Sequence, residues 1–216
     1  MMTFARCLGL FALFFTFSLP LSGAAEPDAT VRARFDANLK KLSQPDGFKC
    51  KFDQRIIYAD GGSQTYSGQI DVRRPGMFRW QYEKPYVQLY AGDGQVIWHY
   101  EPDLMQAERL KNLEAVDPVV MQILDGRVKP QDVALEQYWH DSVLNVNRYQ
   151  MHVGDSPTLW MGLNMDGTLA YVESKDQLDN INRVTLNHCS FIAPEVKHFS
   201  FVPPDGVDVL DIGQNR

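Results

Sequence analysis

At 216 residues the chain has the length of one ordinary domain. Its 44% hydrophobic and 22% charged residues are the proportions of a soluble globular protein. The net charge of −6 speaks against nucleic acid or an anionic membrane surface as the main partner.

The N-terminus has the pattern of a cleavable secretory signal. Arg6 supplies a positive start, and Leu8 to Leu19 is apolar apart from Thr16 and Ser18. Pro20 breaks the run, and the small residues Ser22, Gly23, Ala24 and Ala25 follow. The run is too short to span a bilayer. Cleavage is expected after Ala24, with Ala25 nearly as good, leaving a single domain over residues 25–216. The segment 1–24 removes Arg6 and no acid, so the net charge becomes −7. A lipoprotein signal would place Cys directly after a Leu-Ser-Gly stretch. Here Leu21-Ser22-Gly23 is followed by Ala24, and Cys7 lies too early, so the exported chain is expected to be soluble and unanchored. Cys50 and Cys189 remain. In an oxidising compartment they are a disulfide candidate, the alternative being two buried thiols.

The first element after the signal is helical. Val31, Phe35, Leu39 and Leu42 recur at helical spacing, Asp28 or Thr30 can cap the start, and Pro45 and Gly47 close the end. Strands follow. Phe48, Cys50 and Phe52 alternate with Lys49, Lys51 and Asp53, the period of a half-buried strand. Gly61-Gly62 turns the chain into a return strand from Thr65 to Arg73, and Met77 to Tyr82 is a further strand ended by Lys84-Pro85. Tyr86 to Ala91 and Gln95 to Tyr100 flank Gly92-Asp93-Gly94, a hairpin signal. Residues 107–125 change rhythm. Leu110, Leu113, Val119, Val120, Ile123 and Leu124 are spaced for a helix, split by Asp117-Pro118 as cap and first turn and stopped by Gly126. A second short helix is expected from Pro130 to Tyr138. Strands return at Ser142 to Val153, Thr158 to Met165, Leu169 to Ser174 and Asn182 to Phe191, with Asp166-Gly167 as a turn. The tail from Phe199 to Ile212 reads as extended and edge-like. Strands, then helices, then strands make a curved antiparallel sheet or open barrel with helices on one side.

No G-x-S-x-G elbow and no Gly-rich phosphate loop is present, so no catalytic constellation emerges. The five histidines are scattered singly, without metal-ligand spacing, and neither a metal nor a cofactor is expected. The aromatics say more. Phe78, Trp80 and Tyr82 share one strand face, Tyr86, Gln88 and Tyr90 another, and Trp98 and Tyr100 a third. Such residues build either an ordinary core or an apolar wall that a ligand covers beneath a separable helix. Of the tandem Arg73-Arg74, one side chain must face the aromatic side. There it needs partners such as the carbonyls at a helix end, the alternative being a solvated surface pair.

The run Arg74-Pro75-Gly76-Met77-Phe78-Arg79-Trp80-Gln81-Tyr82, followed by Pro85, Gln88, Asp93-Gly94, Trp98, Tyr100, Pro102-Asp103-Leu104 and Gln106, resembles the LolA family of outer-membrane lipoprotein carriers. Phe52-Asp53-Gln54 and the ending Phe199 to Val209 resemble it too. The resemblance implies an unclosed antiparallel β-barrel covered by an α-helical lid, with no enzymatic activity. It implies a periplasmic, monomeric carrier of lipoprotein acyl chains. An inner-membrane ABC transporter would load it and an outer-membrane LolB-type receptor would take its cargo. By family position, Phe78, Trp80, Tyr82, Tyr90 and Trp98 would line the lipid-binding cavity. Val120, Ile123 and Leu124 would form the apolar face of the lid, and Arg74 would gate it. A different class, a regulatory or lipid-sensing domain on the same half-barrel, remains open at this point, and a lipid hydrolase lacks its nucleophile motif. Both cysteines fall on the apolar phase of their strands, so Cys50 and Cys189 are expected to pair.

Overall fold

The computed structural model describes residues 27–110 and 118–212. The expected signal segment therefore lies outside the described residues, as do Leu113 and the expected cap Asp117.

Helix α1, Ala29–Leu42, starts where Asp28 Oδ1 accepts the backbone N–H groups of Thr30 and Val31 at 2.8 Å each. Lys40 and Lys41 occupy its last turn, where the helix dipole favours cations. The strands β1 (Gly47–Ile57), β2 (Ser63–Arg73), β3 (Met77–Lys84), β4 (Gln88–Asp93), β5 (Ile97–Glu101) and β6 (Gln106–Leu110) then form a meander. After α2 (Pro118–Leu124) come β7 (Val133–Asp141), β8 (Val146–Val153), β9 (Leu159–Asn164), β10 (Leu169–Lys175), β11 (Ile181–Ser190) and the short β12 (Asp208–Asp211).

All twelve belong to one sheet, in the order β12-β6-β5-β4-β3-β2-β1-β11-β10-β9-β8-β7. Each pairing is antiparallel except β12 on β6. The ends β12 and β7 do not meet, so the barrel is unclosed. Flat, the six strand spacings from β3 to β8 would cover roughly 29 Å. Yet Trp80 of β3 and Tyr149 of β8 belong to one buried cluster with Phe35 of α1 and Ile123 of α2. The sheet therefore curls, and its inner face is the one that carries both helices.

Two segments differ from the sequence expectation. Residues 106–110 are a strand, because β6 pairs with β5 on one side and β12 on the other, with Leu110 opposite Ile97. From Pro130 the chain makes only a 3-10 turn to Asp132 and then enters β7. Pairing with β8 satisfies its backbone in place of a helix. The helix at Pro118 ends as the sequence suggests: Gly126 has φ +70, and Arg127 N donates to Gln122 O at 3.0 Å.

Candidate functional site: an aromatic inner face under a clamped helix

Period-two alternation places Phe78 and Trp80 of β3 on the inner face, with Tyr82 continuing the row. Across β3 and β4, Trp80 lies opposite Tyr90. Phe52 of β1 meets the edge of Trp80 at 5.4 Å and of Tyr82 at 5.1 Å, and Tyr82 meets Tyr90 at 6.3 Å. These offset and edge-on contacts make a continuous wall. Burial pushes the Tyr90 phenol up to about 12, helped by the charges of Glu101 and Glu108. Burial likewise pushes the Tyr82 phenol well above its ordinary value, so both hydroxyls stay protonated donors.

Trp98 is the exception. It pairs with Ala91, out of phase with Tyr90, and so stands on the outer face. There its ring packs 5.9 Å from Phe201 of the C-terminal tail, and Tyr100 packs 5.2 Å from the same ring. Its placement in the lipid-lining set is therefore corrected: the strand register turns it away from the cavity.

Helix α2 lies on the wall. Val120, Ile123 and Leu124 are buried in the common core, as is Met121, which the sequence reading passed over. Burying side chains of this size is worth about 1.5–3 kcal/mol each. Arg74, at the turn from β2 to β3, holds the end of the helix. Its Nε and Nη2 donate to Leu124 O at 3.2 and 2.8 Å, and its Nη1 donates to Pro45 O at 2.7 Å, just beyond α1. Leu124 O is one of the carbonyls a helix leaves unpaired at its C-terminus, where partial negative charge collects. Burial lowers the Arg74 pKa, and Asp125 and then Asp46 oppose that shift. Asp125 adds a second tie, accepting Gly76 N–H at 2.9 Å. Its Oδ2 lies 2.8 Å from Arg127 Nε, an ion-pair distance with an angle off-line for a hydrogen bond.

Gly126 makes the clamp possible twice over. Its φ of +70 suits glycine, and a Cβ there would sit 3.0 Å from Arg74 Nε. Around this end of α2 there is only a small cavity of about 30 Å³. Beyond it, clefts of about 280 Å³ beside Phe78, Ile97 and Met121 and of about 630 Å³ beside Ile56, Val119 and Leu159 flank the helix.

Cys50 and Cys189 are joined by a disulfide linking β1 to β11 close to this clamp. A set of polar residues on the inner face was not singled out from sequence. Tyr82 Oη donates to Gln54 Oε1, and Gln54 Nε2 donates to Asn182 Oδ1, both at 2.9 Å. Gln54 was noted only as part of Phe-x-Gln, and the inward phase it shares with Phe52 was the available signal.

An open barrel with an apolar inner wall, closed by a helix that one arginine holds by its carbonyl end, defines a lidded half-barrel. The chain belongs to the LolA family: the family described as "Outer membrane lipoprotein carrier protein LolA" matches residues 43–202. The outer-membrane lipoprotein carrier protein of Nitrosospira multiformis is 31% identical, over 94% of this chain and 96% of its own. That of Neisseria meningitidis serogroup B is 29% identical, over 81% and 86% respectively. Among solved structures, an uncharacterized conserved protein from Thermus thermophilus is 8% identical and superposes with a TM-score of 0.53, covering 83% of this chain and 98% of that one, a likeness of fold.

Proposed function

We propose that this protein is a periplasmic carrier that holds the acyl chains of lipoproteins leaving the inner membrane and delivers them to an outer-membrane receptor. The observation that carries the reading is the Arg74 clamp on α2, which seats an apolar helix on an aromatic wall by a few polar bonds at one end. A long acyl chain gains about 0.8 kcal/mol per buried CH₂, roughly 10 kcal/mol at the upper limit. A shuttle must hide that surface and still give it up. With so little room around the clamped end of α2, cargo enters by displacing the helix, and its affinity is reduced by the cost of opening. Phe78, Trp80, Tyr82 and Tyr90 then contact the acyl chains in place of Val120, Ile123 and Leu124. The cargo moves on to a tighter site without ATP at the carrier. An inner-membrane ABC transporter as loader, a LolB-type acceptor and a monomeric state belong to the same reading.

Arg74→Leu tests it. Losing the clamp favours the open form, so the apparent affinity for lipoprotein should rise about tenfold or more. Transfer to a receptor in a two-component assay should slow by a similar factor, while loading survives. Transfer at the unmodified rate would remove the gate. Failure of the unmodified protein to bind lipoprotein or a fluorescent fatty acid would remove the carrier.

A further inference from the structure

The larger of the two clefts beside α2 has an apolar wall, from Ile56, Val119 and Leu159, and a polar side that an acyl chain alone does not require. Asn182 and Ser174, facing each other across β11 and β10, supply that side, with Tyr58, Asn180 and the charged Lys175 and Asp176 also lining the cleft. Asn182 is the end of a directional chain of hydrogen bonds. Tyr82 stands opposite Gly68 in the β2–β3 register, and its O–H donates to Gln54 Oε1. The buried Gln54 amide passes the polarity on, donating from Nε2 to Asn182 Oδ1. Every donor points the same way, from β3 through β1 to β11. Successive bonds of this kind polarise one another and strengthen the donor at the far end. That donor is Asn182 Nδ2, which makes no side-chain hydrogen bond among the described residues and lines the cleft. A chain ending in a donor selects an acceptor, and a carbonyl at the head of a hydrocarbon is an uncharged acceptor that fits an apolar cleft.

We infer that the Tyr82–Gln54–Asn182 chain is the seat of the cargo's acyl linkages: Asn182 Nδ2–H donates to an ester or amide carbonyl in the cleft, and the hydrocarbon runs inward along the aromatic wall. The inference rests on the carrier reading and assigns a direction to the bound lipid. Dioctanoylglycerol, with two ester carbonyls, and its dioctyl diether, with none, are the probes, each titrated against an apolar fluorophore preloaded on the mature protein. The diester should displace the fluorophore at roughly two- to tenfold lower concentration, the factor one net hydrogen bond supplies. Asn182→Ala should bring that ratio to about one. Tyr82→Phe, which removes a single oxygen, should lower it part of the way and decides the matter if Asn182→Ala fails to fold. A ratio of one in the unmodified protein, or a ratio unchanged in both variants, overturns the seat and leaves the carrier standing. Displacement by neither probe overturns the carrier and the seat together.

Discussion

The sheet divides at the β1–β11 pairing into a front half, β12 and β6 to β1, and a back half, β11 to β7, and the two halves cover their outer faces by different means. The front half is covered by chain. From Pro194 onward the tail crosses its outer face: Pro194 O accepts from Arg73, His198 Nε2 meets the buried Asp71 carboxylate at 2.5 Å, Phe199 is 1% exposed, and Phe201 packs on Trp98 and Tyr100. The tail ends as β12, added in parallel to the edge of β6. The back half uses side chains of its own strands. Glu173 accepts from Arg148 Nη2 at 2.5 Å and from Arg183 Nε at 2.6 Å. Arg148 lies over the Trp139 ring at 4.8 Å and Arg183 over Tyr171 at 4.7 Å. Neither device touches the inner face. Both halves are thus held from outside, by contacts separate from the inner wall and its helices.

The largest expected effect lies at the seam. The Cys50–Cys189 disulfide closes 139 residues of chain between the halves. In the chain-entropy model a loop of that length is worth about 5 kcal/mol. Replacing both cysteines by serine should lower the urea midpoint accordingly, with full loss of the difference between oxidised and reduced protein. A shift equivalent to less than about 1 kcal/mol would mean that strand pairing alone holds the halves together.

Next comes the tail. Phe199→Ala removes a buried ring from the front half's cover and should cost about 3–5 kcal/mol. Amide exchange would locate the damage. Protection should fall in β2 to β5 first and persist in β8 and β9. Uniform loss across both halves would show that the tail braces the whole sheet.

These contrasts explain what sequence reading reached. The inward row of Phe48, Cys50 and Phe52 was legible because period-two alternation needs only local order. So were the turns at Asp93-Gly94 and Asp166-Gly167, whose glycines have φ of +92 and +84. The carbonyl partner for Arg74 was foreseen in kind, because a buried guanidinium has few alternatives. The face of Trp98 was not legible. An aromatic strand face facing either way looks the same until the tail, a hundred residues later, is laid against it. Strand β7 was hidden by a register shift between Leu135 and Gln137, which breaks the alternation and leaves spacing that imitates a helix. The polar chain was invisible because its members come from three separate strands, and only the register brings Tyr82, Gln54 and Asn182 into line.

The smallest effect is expected in the back half, where the cover is charged and partly wet. Glu173→Gln keeps the shape and removes the anion that two guanidinium groups share. A fully buried ion pair that loses one partner costs about 3–5 kcal/mol. Here the Arg183 side chain is 33% exposed and that of Arg148 is 19% exposed, so water takes up much of the loss and roughly 1–3 kcal/mol remains. The rings beneath both guanidinium groups stay in place as cation–π partners, which limits the cost further. The outer position of Glu173, opposite Arg183 across β10 and β11, means that acyl-chain uptake should not change. Urea titration gives the first number and fluorophore uptake the second. A stability loss as large as that of Phe199→Ala would show that the network is as indispensable to its half as the tail is to the other. A change in uptake would break the separation of outer cover from inner wall on which the comparison of the halves depends.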